Sequence, residues 1–207
     1  MVGMEELLVE KNMISTIKAF LLLYLSNQMA RSYLIELVEN QKFDSAFSLL
    51  NKGDQLAAYK YVFEYLSDDV KYQLFIDIYN YVESGFRNVT VKMLDKLKRL
   101  RPIDSIDILK EKEDTDGYIT IYRGSSSRSR PVEKAISWTL NHDIAEFFAK
   151  RFDETESGVV YEAKAKNKDV IAYINGRKEE EVLIRYKKVQ LISVRKRILE
   201  KNLNKEI

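Results

Sequence analysis

Three short segments in the second half of the chain carry the side chains best suited to chemistry. They are Tyr122-Arg123-Gly124, Ser137-Trp138-Thr139 and Glu179-Glu180-Glu181. A guanidinium stays charged and can bind anionic oxygens in pairs, while hydroxyls and carboxylates form directional hydrogen bonds. Each segment borders or lies within an alternating or apolar stretch, which predicts a β-strand. The sequence therefore predicts polar groups presented by three strands.

The composition excludes several other kinds of active site. The chain has no cysteine, which rules out disulfides, thiolate metal ligands and a thiol nucleophile, and it has a single histidine, His142. Zinc sites normally recruit several histidine or cysteine ligands, so we expect no metal site. A serine hydrolase triad would have to use His142 as its base. An enzyme of this composition works with carboxylates, hydroxyls and cations.

Strand alternation assigns the hydroxyls and carboxylates to faces. Ser137 and Thr139 share one face and Trp138 points away, so two hydroxyls can face a cleft while the indole packs against the core. By the same rule Glu179 and Glu181 share a face, and the middle glutamate of the triplet lies on the other.

Taken in order, the three segments resemble the arginine–serine–glutamate class of mono-ADP-ribosyltransferases. The resemblance covers roughly residues 118–195 and includes Ile144–Ala149, which is similar to the Ala-x-x-Phe-Ala segment that follows the serine element in that family. His142 lies just before this segment and has no role in the family. Its position argues against the histidine–tyrosine–glutamate branch, whose histidine takes the place of the arginine on the first strand.

The resemblance implies an NAD-binding site made by the first two segments. In the family, the arginine at the end of the first core strand holds the pyrophosphate of NAD, a role that falls to Arg123. Gly124 is expected to let the chain turn sharply, with its backbone near the ligand. The remaining expected NAD-binding residues belong to the same two segments: Tyr122, Ser137, Trp138 and Thr139.

The resemblance implies catalytic roles for three residues. Glu181 matches the glutamate that hydrogen-bonds the nicotinamide ribose and stabilises the positive charge of the breaking glycosidic bond, as in glycosidase chemistry. Glu179 is expected to position the incoming nucleophile or act as its base. The Ser137 hydroxyl is expected to orient the catalytic glutamate. The implied reaction moves ADP-ribose from NAD to a macromolecule, with a protein arginine as the favoured acceptor and a nucleic acid as the alternative.

The first half of the chain, residues 1–103, predicts a helical accessory region. Apolar residues recur at three- and four-residue spacing, as one buried helix face requires. Further helices are expected over residues 30–38, 44–50, 54–66, 67–84 and 88–100. Asp54 and Asn88 are expected to cap helix N-termini, and Gly85 is expected to end a helix. The aromatic residues Tyr72, Phe75 and Tyr79 predict core packing.

The second half, residues 104–207, predicts a strand-rich catalytic domain. Residues 104–116 are either a linker or a capped helix. Strands are expected over residues 118–123, 158–166, 169–174, 181–186 and 189–194, with a helix over 142–152 and a positive-φ turn at Asn175-Gly176. The whole is an α+β arrangement. The resemblance implies that this half is an ADP-ribosyltransferase-like domain with a split β-sheet around the NAD cleft.

The segment Ile17–Leu25 is the most apolar run, and it is short of the ~20 residues that span a bilayer. Acidic residues precede it, unlike the basic start of a signal peptide, so we expect a cytoplasmic protein with no membrane partner. The resemblance implies a bacterial or phage effector or toxin that modifies host machinery. The helical region would then recognise the target or bind an inhibitor or antitoxin.

Two alternatives to a transferase stay open at this point. An NAD glycohydrolase would use the same site, with water in place of the acceptor. A non-enzymatic helical interaction protein with a strand-rich appendix would bind no NAD.

Overall fold

The computed structural model describes residues 4–151 and 158–196. The chain divides into two compact units, Met1–Leu100 and Arg101–Ile207. The sequence had suggested a division after residue 103. The first unit is helical and the second contains the β-sheet, which confirms the α+β class.

The described part of the N-terminal unit is built from α-helices packed around aromatic side chains. The buried ring of Tyr59 contacts the rings of Phe63 and Phe75 at centroid distances of 5.5 and 5.8 Å, and its hydroxyl donates to the Lys71 carbonyl oxygen at 2.6 Å. The aromatic residues predicted to pack in the core, Tyr72, Phe75 and Tyr79, are buried. The helices are α1 (Met4–Leu23), α2 (Arg31–Glu39), α3 (Phe43–Ser48), α4 (Lys52–Val62), α5 (Asp68–Tyr81) and α6 (Val91–Leu100).

The predicted cap at Asp54 is wrong. Helix α4 begins at Lys52, and the Asp54 amide already donates to the Asn51 carbonyl oxygen at 2.9 Å. Asp54 therefore lies in the first turn, where its negative charge still favours the positive end of the helix dipole. A carboxylate fits either position, so residue type alone left the start of this helix undetermined.

The predicted cap at Asn88 and helix end at Gly85 are also displaced. The Thr90 hydroxyl accepts from the Met93 amide at 3.2 Å and caps α6, while the Asn88 side chain donates to the Gly85 carbonyl oxygen at 3.0 Å. Helix α5 ends at Tyr81, four residues before Gly85, which has φ of +84°. The glycine makes a left-handed turn before the short 3₁₀ helix Phe86–Asn88 and does not end α5.

The described part of the C-terminal unit contains one antiparallel six-stranded sheet with the order β4-β5-β2-β1-β3-β6. The charged stretch before it, left open as linker or helix, is a 3₁₀ helix over Ile103–Lys112. The elements are β1 (Tyr118–Ser125), β2 (Ser137–Thr139), α7 (His142–Lys150), β3 (Val159–Lys166), β4 (Ala172–Ile174), β5 (Glu181–Leu183) and β6 (Val189–Lys196).

The sheet consists of two unequal halves joined by one residue pair. Strands β1, β3 and β6 have eight residues each, whereas β2, β4 and β5 have three each. The halves pair only where Tyr122 of β1 faces Thr139 of β2. We call this point the junction. Because each strand pair elsewhere extends over at least three residues, the sheet is narrowest here.

One face of the sheet carries the main apolar core of this unit. Ile121, Trp138 and Val182 pack there against Ile106 and Leu109 of the 3₁₀ helix. Trp138 is 2% exposed, and the alternation argument that turned its indole towards the core holds.

Helix α7 covers part of the opposite face. Its Ala145 and Ala149 pack with Val160 and Tyr122. A Cβ atom at Gly124 would overlap the Ala145 carbonyl oxygen and lie 2.6 Å from the Ala149 nitrogen. Gly124 therefore lets the helix approach the strand, and β1 continues past it to Ser125. The expected sharp turn at Gly124 beside a ligand is wrong, because helix packing occupies that space.

Strand ends in the short half-sheet differ from the sequence prediction. Strand β5 stops at Leu183 and β4 begins at Ala172, both inside the expected ranges. A turn does follow β4, closed by the Lys178 amide on the Asn175 carbonyl oxygen at 3.0 Å. Positive φ falls on Lys178 and Glu180, however, and Gly176 does not adopt it.

Replacing Gly124 with alanine tests the close packing of α7. We expect the variant to lose about 3 kcal/mol of unfolding free energy or more, since the added methyl group meets backbone atoms that cannot rotate away. Trp138, the only tryptophan of the chain, reports unfolding of this unit by fluorescence during a urea titration.

The matched control is Gly53→Ala. A Cβ there meets only the Ser84 hydroxyl oxygen, at 3.6 Å. Because Gly53 lies in α4, the alanine should leave helical circular dichroism and its midpoint unchanged or slightly raised. If Gly124→Ala and Gly53→Ala lost equal amounts of unfolding free energy, the packing argument would be contradicted.

Candidate functional site

Ser137 and Glu181 form the centre of the candidate site. They lie on paired strands, with Ser137 opposite Leu183 and Thr139 opposite Glu181, so the two side chains share a face. The Ser137 hydroxyl donates to Oε1 of Glu181. Glu181 is only 8% exposed. Because burying a carboxylate is costly unless it is hydrogen-bonded, the hydroxyl both holds and orients the glutamate.

Arg123 reaches the same residue from β1. Its Nη1 donates to the Ser137 carbonyl oxygen at 2.6 Å. By alternation Arg123 begins on the face of Ile121 and Trp138, opposite to the Ser137 hydroxyl. The guanidinium therefore meets the serine–glutamate pair through the main chain of Ser137. The structure therefore brings together Arg123, Ser137 and Glu181, three of the residues that the sequence singled out.

Thr139 connects β2 to the acidic triplet. Its hydroxyl donates to the Glu179 carbonyl oxygen at 2.6 Å and accepts from the Asn141 amide at 3.0 Å. The Leu140 amide adds a bond to the Glu180 carbonyl oxygen at 3.1 Å. Thr139 thus shapes the loop before β5. The sequence predicted that its hydroxyl would face an open cleft, but the hydroxyl is bonded to the loop instead.

Glu179 occupies a different environment from Glu181. The strand begins only at Glu181, and Glu180 has φ of +45°, so the alternation that put Glu179 and Glu181 on one face of a strand is wrong. The physical reason is the Asn175 side chain, whose Oδ1 accepts from the Glu180 amide at 3.1 Å and curls the loop. The Glu179 side chain is 25% exposed and lies 3.7 Å from Nε of Arg177.

Two of the expected NAD-binding residues do not present a surface to a ligand. Trp138 is enclosed in the apolar core, and its buried Nε1 has no hydrogen-bond partner among the described residues. Gly124 is covered by α7. Each residue supports the position of its neighbours, because the segment it belongs to also has to pack against the core or against α7.

No sequence pattern connects His142 with Tyr122. The two rings meet edge-on with centroids 5.2 Å apart, and the imidazole is 38% exposed. Asn141 caps α7 by accepting from the Asp143 and Ile144 amides, which starts the helix directly after β2. An asparagine two residues after the serine element was the available signal for this placement.

The described residues contain no group of three or more histidine, cysteine, aspartate or glutamate side chains arranged to hold a metal ion. Among the same residues, no helix has the length and apolar character needed to cross a membrane.

Comparison with models of known protein families, with curated proteins and with solved structures finds no match. The family resemblance therefore rests on the three sequence segments.

Replacing Ser137 with alanine tests the serine–glutamate bond. The variant leaves the buried Glu181 carboxylate with one donor fewer, so we expect a loss of about 1–2 kcal/mol of unfolding free energy. Urea unfolding followed by Trp138 fluorescence measures it.

Ser105→Ala is the control for this measurement. Its exposed hydroxyl donates to the Pro102 carbonyl oxygen at 2.7 Å, and no charge depends on it. We expect a change within about 0.5 kcal/mol. If both serine variants unfold at the same urea concentration, the Ser137 hydroxyl does not stabilise the buried carboxylate.

Proposed function

We propose that the protein is an NAD-dependent mono-ADP-ribosyltransferase that moves ADP-ribose from NAD to a macromolecular acceptor. The observation that carries the proposal is the hydrogen-bonded chain of Arg123, Ser137 and Glu181 across β1, β2 and β5. The resemblance supplies these residue types in this order and implies that the serine hydroxyl orients the glutamate, and the bond from Ser137 to Glu181 is consistent with that role.

The shape of the sheet also supports the proposal. In the family, the intervening strands supply a small split sheet around the NAD cleft. Here the two half-sheets pair at a single position, Tyr122 with Thr139, and the three key residues lie beside it.

Arg123 suits the pyrophosphate of NAD. One nitrogen of its guanidinium is held by the Ser137 carbonyl oxygen, so the planar fork has a defined orientation before the ligand arrives. Phosphate oxygens bind such a fork in pairs. A lysine at this position would keep the charge and lose the paired geometry.

Glu181 suits the bond-breaking step. The glycosidic bond between the nicotinamide nitrogen and the ribose C1′ breaks, and its electron pair leaves with nicotinamide. Positive charge then develops on the ribose, where a fixed carboxylate stabilises it. The Ser137 hydroxyl fixes the Glu181 carboxylate in advance, so little reorganisation is needed during the reaction.

The environment of Glu179 favours a role in orienting the acceptor. The Glu179 side chain is 25% exposed, whereas Glu181 is buried, and Glu179 lies on a loop bonded to Thr139. A more exposed carboxylate can orient an incoming nucleophile and take its proton. The two glutamates therefore divide the work between NAD and acceptor, which favours transfer over simple hydrolysis.

We further propose the setting that the family resemblance implies, a bacterial or phage effector acting on host machinery. The N-terminal helices would recognise the target or bind an inhibitor. Three tyrosines on that unit are more than half exposed, and aromatic side chains are enriched at protein interfaces. They are Tyr33, Tyr61 and Tyr81.

The test is turnover of labelled NAD in the presence of cell extract. We expect nicotinamide release and label on protein, and we expect Glu181→Gln to lower both by about a hundred- to a thousand-fold. The substitution keeps the shape of the side chain, so NAD binding measured by calorimetry should persist. The matched control is Glu180→Gln, whose turnover should equal that of the unsubstituted protein.

A protein that releases no nicotinamide and binds no NAD would refute the proposal and favour the helical interaction protein. Free ADP-ribose without any labelled macromolecule would identify a glycohydrolase instead. Label on RNA or DNA in place of protein would change the acceptor class while keeping the reaction.

Glu179→Gln separates the two carboxylates. We expect label transfer to fall far more than nicotinamide release, because this side chain acts on the acceptor and leaves the Ser137–Glu181 pair intact. Both quantities come from the same reaction mixture by chromatography and by scintillation counting of precipitated protein. Equal loss of the two would contradict the assigned division of roles.

A further inference from the structure

Four aromatic side chains of the N-terminal unit lie together near the C-terminal ends of α1 and α4. The ring of Phe20 stacks on that of Tyr61, with centroids 5.7 Å apart and an interplanar angle of 15°. The Tyr65 ring centroid lies 6.3 Å from that of Phe20, and the Tyr24 centroid lies 6.1 Å from that of Tyr61. We call these four residues the aromatic patch.

The aromatic patch faces water, unlike the aromatic core of the same unit. Tyr61 is 52% exposed and Tyr65 is 37% exposed, whereas Tyr59 in the core is fully buried. The ring contacts hold the exposed side chains against one another, and a tyrosine side chain has only two rotatable angles to order. A partner would therefore find a preformed ring surface at a small entropic cost.

The position of the aromatic patch gives it a negative electrostatic potential. Phe20 lies in the last turn of α1, and Tyr24 directly follows that helix. Tyr61 lies in the last turn of α4, and Tyr65 follows shortly after its end. Helix C-termini carry a partial negative charge, and the faces of aromatic rings are negative as well. Both contributions favour a cation over the rings.

A carboxylate adds a full negative charge beside the aromatic patch. Asp54 lies on α4 about two helical turns before Tyr61, and therefore on the same face of the helix. Burial raises the pKa of the Tyr24 hydroxyl, and Tyr61 and the charge of Asp54 raise it further. Among the residues that the structure describes, no lysine or arginine forms an ion pair with Asp54. By contrast, the carboxylate of Glu64, just after α4, is paired with Lys92 at 2.7 Å.

Going beyond the proposed function, we propose that the aromatic patch binds a protein segment that presents arginine side chains. A planar guanidinium can stack on an aromatic face and can also pair with a carboxylate. One guanidinium over the Tyr61 ring and a second beside Asp54 would match both features of the patch.

Other occupants fit the aromatic patch less well. The phosphates of a nucleic acid would be repelled by Asp54 and by the negative helix ends. A purely apolar segment would cover the rings, but it would also remove water from the Asp54 carboxylate without replacing the lost hydrogen bonds. The charge of the patch therefore selects a cationic partner over either alternative.

The binding test uses the purified full chain without NAD and a fluorescein-labelled peptide of alternating arginine and glycine, followed by fluorescence polarisation. The comparison probes are a peptide of alternating glutamate and glycine, a peptide of alternating leucine and serine, and oligothymidine. We expect saturable binding of the arginine peptide that weakens as salt is added, because salt screens exposed charges. None of the other three probes should bind comparably.

Tyr61→Leu tests the ring surface, with Tyr81→Leu as its control. Leucine keeps an apolar side chain at this position and removes the aromatic face. We expect the arginine peptide to bind about three- to five-fold more weakly, which corresponds to the loss of one exposed cation–π contact. Tyr81 is 66% exposed at the end of α5 and lies outside the aromatic patch, so its replacement should leave the affinity unchanged.

Asp54→Asn tests the charge, with Asp44→Asn as its control. Both aspartates lie in the first turn of a helix, so each substitution removes the same kind of favourable interaction with a helix dipole. We expect Asp54→Asn to weaken binding of the arginine peptide about two- to five-fold at low salt, and Asp44→Asn to leave it unchanged. Helical circular dichroism checks that each variant is folded.

Weaker binding in both Tyr61→Leu and Asp54→Asn, with both controls unchanged, would support the assigned partner chemistry. Several results would overturn it: unchanged affinity in either of these two variants, equal losses in the controls, tighter binding of oligothymidine or of the leucine–serine peptide, or no binding of the arginine peptide. Because the binding test contains no NAD, nicotinamide release in the labelled-NAD assay tests the transferase separately.

Discussion

The C-terminal unit has to accommodate one buried carboxylate, and the contacts around it depend on this requirement. Glu181 begins β5 at 8% exposure, and a carboxylate in such a place destabilises a fold unless donors surround it. The Ser137 hydroxyl meets that requirement from the neighbouring strand, and the carbonyl of the same serine accepts from Arg123. Residues of three strands, β1, β2 and β5, thus surround one charged group. This is the kind of locally unfavourable arrangement that proteins keep where chemistry is performed.

Helix α7 depends on the same region from the other side. It begins directly after β2, with the Asn141 cap and with the Asn141 amide bonded to the Thr139 hydroxyl. The missing side chain at Gly124 lets the helix lie against β1. A single stretch from Ser137 to Ala149 therefore supplies the hydroxyls, the capped helix and the cover of one sheet face. Any shift of that helix would move β2, and with it the glutamate that β2 orients.

The loop before β5 places the carboxylates of the acidic triplet in different environments. Within three consecutive residues, one carboxylate is buried on a strand and another is partly exposed beside an arginine. Positive φ at Glu180 separates them by ending the strand geometry between the two. This separation places the Glu179 and Glu181 carboxylates in different environments, and only Glu179 lies beside Arg177.

Much of this organisation could be predicted from local pattern. Alternation identified β1 and β3, helical spacing identified the N-terminal unit, and residue types identified Arg123, Ser137 and Glu181, because period and side-chain chemistry are properties of the chain itself. The cap of α4, the end of β5, the role of Gly124 and the curl at Glu180 could not be predicted in this way. The role of Gly124 and the shape of the triplet loop depend on partners distant in sequence, Ala145 and Thr139. The start of α4 was missed because a carboxylate fits either position. The sequence by itself determined which groups are available, and the tertiary structure decided which of them meet, since hydrogen bonds between strands and the close approach of a helix are set by packing.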